Sequence, residues 1–486
     1  VLALQDPTTW GWVGFTLSAF GYLVAIALIP RIVLERRESG ATLAWVLAIL
    51  FLPWLGLLLF WAFGTQRLRW RRRRRRRAEQ AIALSLDAAA RPLERYERVS
   101  EPSRDCAIEE AVAALSARVA GPSTDGNATE LLIDGEQTYD RMLSAIAAAD
   151  AHVHAEFYIW NPDETGIRFR DALLAAAKRG VRVRVLVDDV GSRSAGRKFF
   201  APLVRAGGKV ARFLPVIFLS RRLQVNNRNH RKILVIDGRA AFTGGLNIGD
   251  EYRGVHGPWR DTHLRIEGPA ALRLQRVFVE DWFHTTGEDL ARPELFPESG
   301  PSGSERVQIL ASGPDDDRWH AIHVIVFSAI ALARERVWIT TPYFVPDRPL
   351  EMALETAALR GVDVRLLLPG RSDHALVLHA GRSFYPELLQ AGVKIWELDQ
   401  AFLHSKTVSV DGRLASVGSA NMDQRSFRLN FEANAVVFGP SLARELERVF
   451  ERDCERARPV NPVAFRARSR YARSAEALAR ILSPLL

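Results

Sequence analysis

The chain has 486 residues, 48% of them hydrophobic, which is enough for two globular domains with sizeable cores. Its net charge of +10, carried almost wholly by arginine, points to an anionic partner, either nucleic acid or acidic lipid. The two cysteines, Cys106 and Cys454, exclude a disulfide framework and a zinc-ligand spacing, and they suit a reducing, cytoplasmic compartment.

Two apolar segments open the chain, Gly11–Pro30 and Ala41–Phe63, neither containing a charge. Each is about the 20 residues that span ~30 Å of hydrocarbon. Trp10, Trp12, Trp54 and Trp61 lie at or near their ends, where indoles favour the membrane interface. No basic stretch precedes the first segment, so a cleaved signal peptide is not expected. The plainer alternative is two buried helices of a soluble domain; a transmembrane hairpin over residues 1–64 accounts better for the flanks. Arg67, Arg69 and the unbroken run Arg71–Arg77 follow the second segment. The positive-inside rule then places everything beyond on the cytoplasmic side of the cell (inner) membrane. The run also fits nucleic acid, but an anchor beside an anionic leaflet, at ~1 kcal/mol per basic residue, explains it more simply.

Residues 65–125 read as a basic and helical connector closing in the breaker cluster Gly121–Gly126. Next comes a βαβ pattern: helix Tyr139–Ala149, strand Ala151–Trp160, helix Phe169–Arg179, strand Val181–Val187. It recurs as Trp319–Arg334, Arg336–Phe344, Leu350–Arg360 and Val362–Leu368, and even the joints echo, Arg179-Gly180-Val181 against Arg360-Gly361-Val362. The fold class is therefore α/β: two halves with mixed sheets, residues 126–300 and 301–460, meeting near the Pro/Gly/Ser-rich Pro297–Glu305. In the strand Ala151–Ile159, His152 and His154 alternate with apolar residues and read as a solvated face rather than metal ligands. Asp188-Asp189 ends a strand where paired carboxylates suit a cation, though no further ligands stand at metal spacing. A C-terminal amphipathic tail, 461–486, is expected to dock on the α/β halves or to dip into the lipid interface.

The most specific feature is a duplicated motif. His230-Arg231-Lys232, four apolar residues, Asp237-Gly238-Arg239 and Gly244-Gly245-Leu246-Asn247 recur 174 residues later as His404-Ser405-Lys406, four residues, Asp411-Gly412-Arg413 and Gly418-Ser419-Ala420-Asn421. Offsets from histidine to lysine, aspartate and asparagine are 2, 7 and 17 in both copies. Each copy reads as a strand, a tight Asp-Gly turn and a returning strand. Histidine and lysine, two apart, share a strand face. The aspartate falls in the turn, so Asp237 and Asp411 are expected to orient or support rather than attack. Phosphoryl transfer needs a nucleophile, a proton donor for the leaving alcohol and fixed positive charge around the oxygens. Paired histidines meet the first two needs, and Lys232, Lys406, Asn247 and Asn421 the third. Only six of the 66 basic residues are lysine, yet both motifs carry one. A compact ammonium is not interchangeable with a guanidinium fork.

Paired motifs of this form resemble the phospholipase D superfamily. The runs Gly244–Tyr252, Trp259-Arg-Asp-Thr-His263 and Gly418–Glu432 are more closely similar to bacterial cardiolipin synthases of the membrane-anchored type. The resemblance covers essentially the whole chain. It implies two phospholipase D-like domains related by a pseudo-two-fold, preceded by the membrane hairpin. It also implies a catalytic set of His230, Lys232, Asp237, His404, Lys406 and Asp411, with Asn247 and Asn421 on the phosphate, and neither metal nor other cofactor. One histidine would take the phosphatidyl group and the other handle the alcohol proton; the sequence is symmetric as to which. Asp261 and Glu432, 31 and 28 residues after the motif histidines, are expected to orient or polarise His230 and His404. Glu156 and Tyr158 match a family position close to the site. The expected reaction joins two phosphatidylglycerols into cardiolipin and glycerol in an anionic membrane. A hydrolase making phosphatidic acid and a membrane-tethered nuclease are the rivals, and the Gly, Asn and aliphatic residues near the motifs do not suit nucleic-acid binding.

Overall fold

A computed structural model of the chain describes residues 7–34, 39–60, 81–99, 107–215, 227–298, 300–314 and 320–481. It divides into two units, Val1–Arg76 and Arg77–Leu486. In the first, helices α1 (Pro7–Leu34), α2 (Ser39–Phe51) and α3 (Pro53–Leu59) pack around Ala25, Ile32, Ile49 and Phe60. Gly56 lies so close to α2 that a Cβ there would stand 2.5 Å from the Ala48 carbonyl oxygen. The outward side chains Trp12, Phe15, Leu23 and Phe51 are all more than 60% exposed, an apolar exterior with no favourable contact to water.

The expected pair of spanning helices is found only in part. Among the described residues, one helix is long and apolar enough to cross a membrane, over Gly14–Leu34. The second apolar segment breaks at Leu52 into α2 and α3, because Pro53 has no N–H to continue the ladder and restricts the residue before it. The arginines at 67–77, on which the orientation rests, lie outside the described residues.

The second unit is built on one sheet. Its N-terminal half supplies β1 (Ser123–Ile133), β2 (His152–Phe157), β3 (Arg182–Asp188), β4 (Lys209–Phe213), β5 (Lys232–Ile236), β6 (Ala240–Gly244) and β7 (Thr262–Glu267). The C-terminal half supplies β8 (Glu305–Ser312), β9 (Arg336–Thr340), β10 (Asp363–Pro369), β11 (Lys394–Leu398), β12 (Thr407–Val410), β13 (Leu414–Gly418) and β14 (Glu432–Phe438). The strand order is β11-β10-β9-β12-β13-β14-β8 followed by β1-β7-β6-β5-β2-β3-β4. Each half reads the same from its outer edge inward, so the pseudo-two-fold passes between β8 and β1. Strands β2, β3 and β4 run parallel, as do β9, β10 and β11, with helices Glu164–Lys178 and Arg348–Leu359 as the first crossovers of each half. The motif hairpins β5–β6 and β12–β13 are antiparallel, which makes both halves mixed. The two halves are not separate sheets: β1 and β8 pair antiparallel, and the core between them holds Ile233, Val235 and Leu264 with Ala415, Val417 and Ala435.

The solvated face expected for β2 is a further correction. All six of its residues are buried, because the strand lies between β5 and β3 with helix Pro269–Thr286 beside it. The His154 ring stacks on Phe278 at 4.5 Å and its Nδ1 meets Gln275 at 3.0 Å. Burial lowers the His152 pKa to about 4 and holds that of His154 well below the ordinary histidine value, which keeps both rings neutral. The tail docks: Phe465 stacks on Tyr385 at 5.1 Å, and Ala479 of helix Arg470–Ile481 enters the core of the C-terminal half.

Candidate active site

The motif hairpins turn as their Asp-Gly pairs require. Asp237 and Gly238 have φ of 53° and 65°, Asp411 and Gly412 of 53° and 61°, the two left-handed residues of a type I′ turn. Both aspartates commit their carboxylates to backbone. Asp237 accepts from the amides of Asp150, Ala151 and His152 at 2.9, 2.8 and 2.7 Å. Asp411 accepts from Arg334, Glu335 and Arg336 at 2.9, 2.8 and 2.9 Å. Each thereby ties the hairpin turn to the start of the neighbouring strand, β2 or β9. They stand a whole strand away from the histidines, so of the expected catalytic set these two act on the frame and not on the reacting atoms.

The histidines are held across the pseudo-two-fold. His230 N–H donates to the Phe431 carbonyl oxygen at 2.9 Å, and its Nδ1 lies 3.0 Å from both carboxylate oxygens of the next residue, Glu432. His404 N–H donates to the Arg260 carbonyl oxygen at 2.8 Å, and its Nδ1 lies 2.8 Å from Oδ2 of the next residue, Asp261. Each half thus supplies the carboxylate for the other half's histidine. Short parallel pairings, Trp259–Arg260 with Phe402–Leu403 and Asn229 with Phe431, fix this crossing in the backbone. With Nδ1 engaged by a carboxylate, Nε2 is the ring nitrogen left for chemistry. Burial lowers both histidine pKa values to about 4 against the pull of Glu432 and Asp261. Burial works to raise the two carboxylates, but their histidines and the buried lysines hold both below the ordinary range.

Lys232 and Lys406 are fully buried and each donates to the carbonyl oxygen of its own motif histidine, Lys232 at 2.6 Å. Desolvation brings Lys232 down to about 7 and Lys406 to about 8, and the charge of Lys406 presses Lys232 down further against the pull of Glu432. Two ammonium groups in so dry a place call for an anion, and a phosphate would draw both back to full charge. The asparagines differ. Asn247 accepts from Ile159 N at 3.1 Å and donates to Tyr252 Oη at 3.0 Å. Asn421 keeps a buried Oδ1 with no partner among the described residues.

His230, His404, Asn247 and Asn421 line one cavity of about 910 Å³. Its two sides are unlike. The His230 ring meets the edge of Tyr158 at 5.1 Å, while His404 lies beside Trp259 at 5.4 Å, and Trp259 stacks on Phe402 at 4.5 Å. Glu156 lies behind the site, fully buried, and accepts from Asn229 Nδ2; burial raises it well above the carboxylate range. Asp188 takes the amides of Val190, Gly191 and Asn229 and pairs with Arg228, and Asp189 pairs with Arg212, so neither is poised for a cation. No group of three potential metal ligands occurs among the described residues. Sequence reasoning valued Ser419 only as a small residue that lets backbone approach an anion, yet its hydroxyl donates to Glu432 Oε2, and it gave no role to Asn430, which donates to Oε1 at 3.1 Å, or to Phe402. The signal was there in part, since Phe402 and Asn430 each stand two residues before a chemical group of the site.

Comparison with known proteins identifies the family and the fold. A family model described as cardiolipin synthase, PLD-like domain, matches residues 142–282 and 326–454, and one described as Phospholipase_D-nuclease N-terminal matches 23–64. A cardiolipin synthase of Geobacillus thermodenitrificans is 41% identical over 98% of this chain and 95% of its own. The major cardiolipin synthase ClsA of Bacillus subtilis is 38% identical over 97% of this chain and 98% of its own. In fold, the crystal structure of a phosphatidylserine synthase from Haemophilus influenzae superposes with a TM-score of 0.57 at 15% identity, covering 74% of this chain and 95% of that one. The chain belongs to the cardiolipin synthase family, phosphatidyltransferases of the phospholipase D superfamily.

Proposed function

We propose that the chain joins two phosphatidylglycerol molecules into cardiolipin and free glycerol through a phosphohistidine. The observation that carries this reading is the pair of histidines on one cavity, each backed at Nδ1 by a carboxylate from the opposite half. Neutral His230 attacks the phosphorus of the first lipid through Nε2, and the P–O bond to glycerol breaks. His404, charged as the anionic phosphate enters beside it, gives its proton to the departing alkoxide. It then takes a proton from the headgroup hydroxyl of a second phosphatidylglycerol, whose oxygen displaces Nε2 of His230. Lys232, Lys406 and Asn421 hold the non-bridging oxygens through both steps.

Transfer over hydrolysis is supported by the aromatic wall beside His404. Trp259 and Phe402 stack where the acceptor hydroxyl is deprotonated, and an apolar wall disfavours water there. The cell membrane is the proposed location, with α1 as a span, α2 and α3 as a broken return, and the catalytic unit on the cytoplasmic side, as the arginines at 67–77 imply. The test uses full-length chain in vesicles of labelled phosphatidylglycerol with chelator present. Cardiolipin plus glycerol, lost in both His230→Ala and His404→Ala, is the expected result. Phosphatidic acid as the main product would make the chain a hydrolase, and no lipid turnover would overturn the reading.

A further inference from the structure

The tail helix Arg470–Ile481 has two unlike faces. One is docked: Ala479 is 3% exposed, Glu476 pairs with Arg468, and the Arg480 guanidinium lies 4.4 Å from the Phe384 ring. The other carries Tyr471, Ser474, Leu478 and Ile481, spaced i, i+3, i+7 and i+10, which places them in one stripe along the helix. Tyr471, Leu478 and Ile481 are 85, 65 and 73% exposed, although the helix is firmly seated in the fold. Exposed Arg466, Arg470 and Arg473 accompany the stripe. The only acidic residue between 461 and 481 is Glu476, which is buried and ion-paired. A surface of apolar and basic groups with one serine hydroxyl and no exposed carboxylate of its own matches an anionic lipid leaflet, with apolar side chains among the acyl chains and arginines at the headgroups. A second copy of the same stripe would bring like charges together. The helix packs on Ala375–Arg382, whose Val377 lines the catalytic cavity and whose Leu376 is 42% exposed.

We propose that this helix is an interfacial membrane contact that seats the catalytic cavity against an anionic leaflet, so that lipids enter from the bilayer without crossing water. The link to lipid entry rests on the phospholipid reading of the site; the contact itself does not. The experiment uses the full-length chain with Cys106→Ser, Cys454→Ser and Leu478→Cys, carrying an environment-sensitive fluorophore at position 478 and reconstituted in vesicles. With phosphatidylglycerol vesicles, a blue shift and quenching by acyl-chain nitroxide lipids are expected, and both should weaken in pure phosphatidylcholine. Water-like emission in both would overturn the proposal. Protection that ignores lipid charge and grows with protein density would also overturn it, by showing a contact between copies. A second measurement uses Leu478→Glu with Ile481→Glu, which should raise the half-saturating surface concentration of phosphatidylglycerol about tenfold. Turnover of a short-chain, monomerically dispersed phosphatidylglycerol should be unchanged. Equal behaviour of variant and parent on vesicles would count against the contact. The fluorophore reports the same answer whether the products are cardiolipin or phosphatidic acid, so its failure is separable from failure of the proposed reaction.

Discussion

The two halves of the catalytic unit share seven strands in the same order, yet each surrounds the other's histidine differently. The C-terminal half offers His230 a carboxylate, Glu432, that also accepts from Ser419 and Asn430. The N-terminal half offers His404 a carboxylate, Asp261, that accepts from Thr262 N at 2.8 Å and packs against Gly245. It adds the aromatic wall of Trp259 and, beyond it, Tyr252. Duplication preserved the reacting skeleton, and divergence gathered around it. This is the pattern expected when one histidine must be fixed as nucleophile and the other must manage protons beside an incoming lipid.

The largest test of that division is substitution of the histidines. His230→Ala should lose covalent trapping and turnover together, on the order of 10⁴-fold. His404→Ala should lose turnover but still trap the phosphatidyl group, and the reverse pattern in quenched-flow labelling would exchange their roles. Next come the carboxylates. Glu432→Gln should slow formation of the phosphohistidine and Asp261→Asn its breakdown, each by about 10² to 10⁴-fold, read as a changed ratio of burst to steady state. The paired positions 245 and 419 come third. A Cβ on Gly245 would stand 1.9 Å from Asp261 Oδ1, so Gly245→Ala should cost about 1–3 kcal/mol of stability as well as activity. Ser419→Ala removes one hydrogen bond to a carboxylate that keeps others, and should cost about tenfold in rate at most. Trp259→Ala opens the wall, and a rise in phosphatidic acid relative to cardiolipin should follow; an unchanged product ratio would remove the wall from the argument for transfer.

The smallest effect concerns pH. In the folded chain Lys232 and Lys406 titrate at about 7 and 8, against 10.5 for an ordinary, solvated lysine. Between pH 8 and 9 the unfolded chain therefore binds protons that the folded chain does not, and stability rises with pH, by about 1 kcal/mol per pH unit per lysine. Thermal melts in that window should show the slope, and Lys406→Met should reduce it.

Much of this architecture was legible because it was written twice. The Asp-Gly turns, the βαβ units and the 174-residue offset are local patterns repeated in register, and local patterns survive into the fold. The crossing of Asp261 to His404 and of Glu432 to His230 was not legible, since spacings of 31 and 28 residues suggest partners within one half. The pairings of 259–260 with 402–403 and of Asn229 with Phe431 exchange them, and both are contacts between segments far apart in sequence. The burial of His152 and His154 was missed for a related reason: alternation marks a half-exposed strand only where one face meets water, and a helix covers that face of β2. The break at Leu52 had its cause in plain view, in Pro53, but an uninterrupted apolar run outweighed it.

The crossed bonds at His230 and His404 carry a consequence for how this protein can be divided. Neither half contains a histidine together with the carboxylate that serves it. Activity is therefore expected to be a property of assembly: each half as a lone monomer should be inert however well it folds, and two inactivated chains, one defective in each half, should not rescue one another unless they exchange halves. A chain cut between β7 and β8 that stays paired along β1 and β8 keeps both histidines furnished, and so behaves as a split enzyme whose two pieces report on their own reunion.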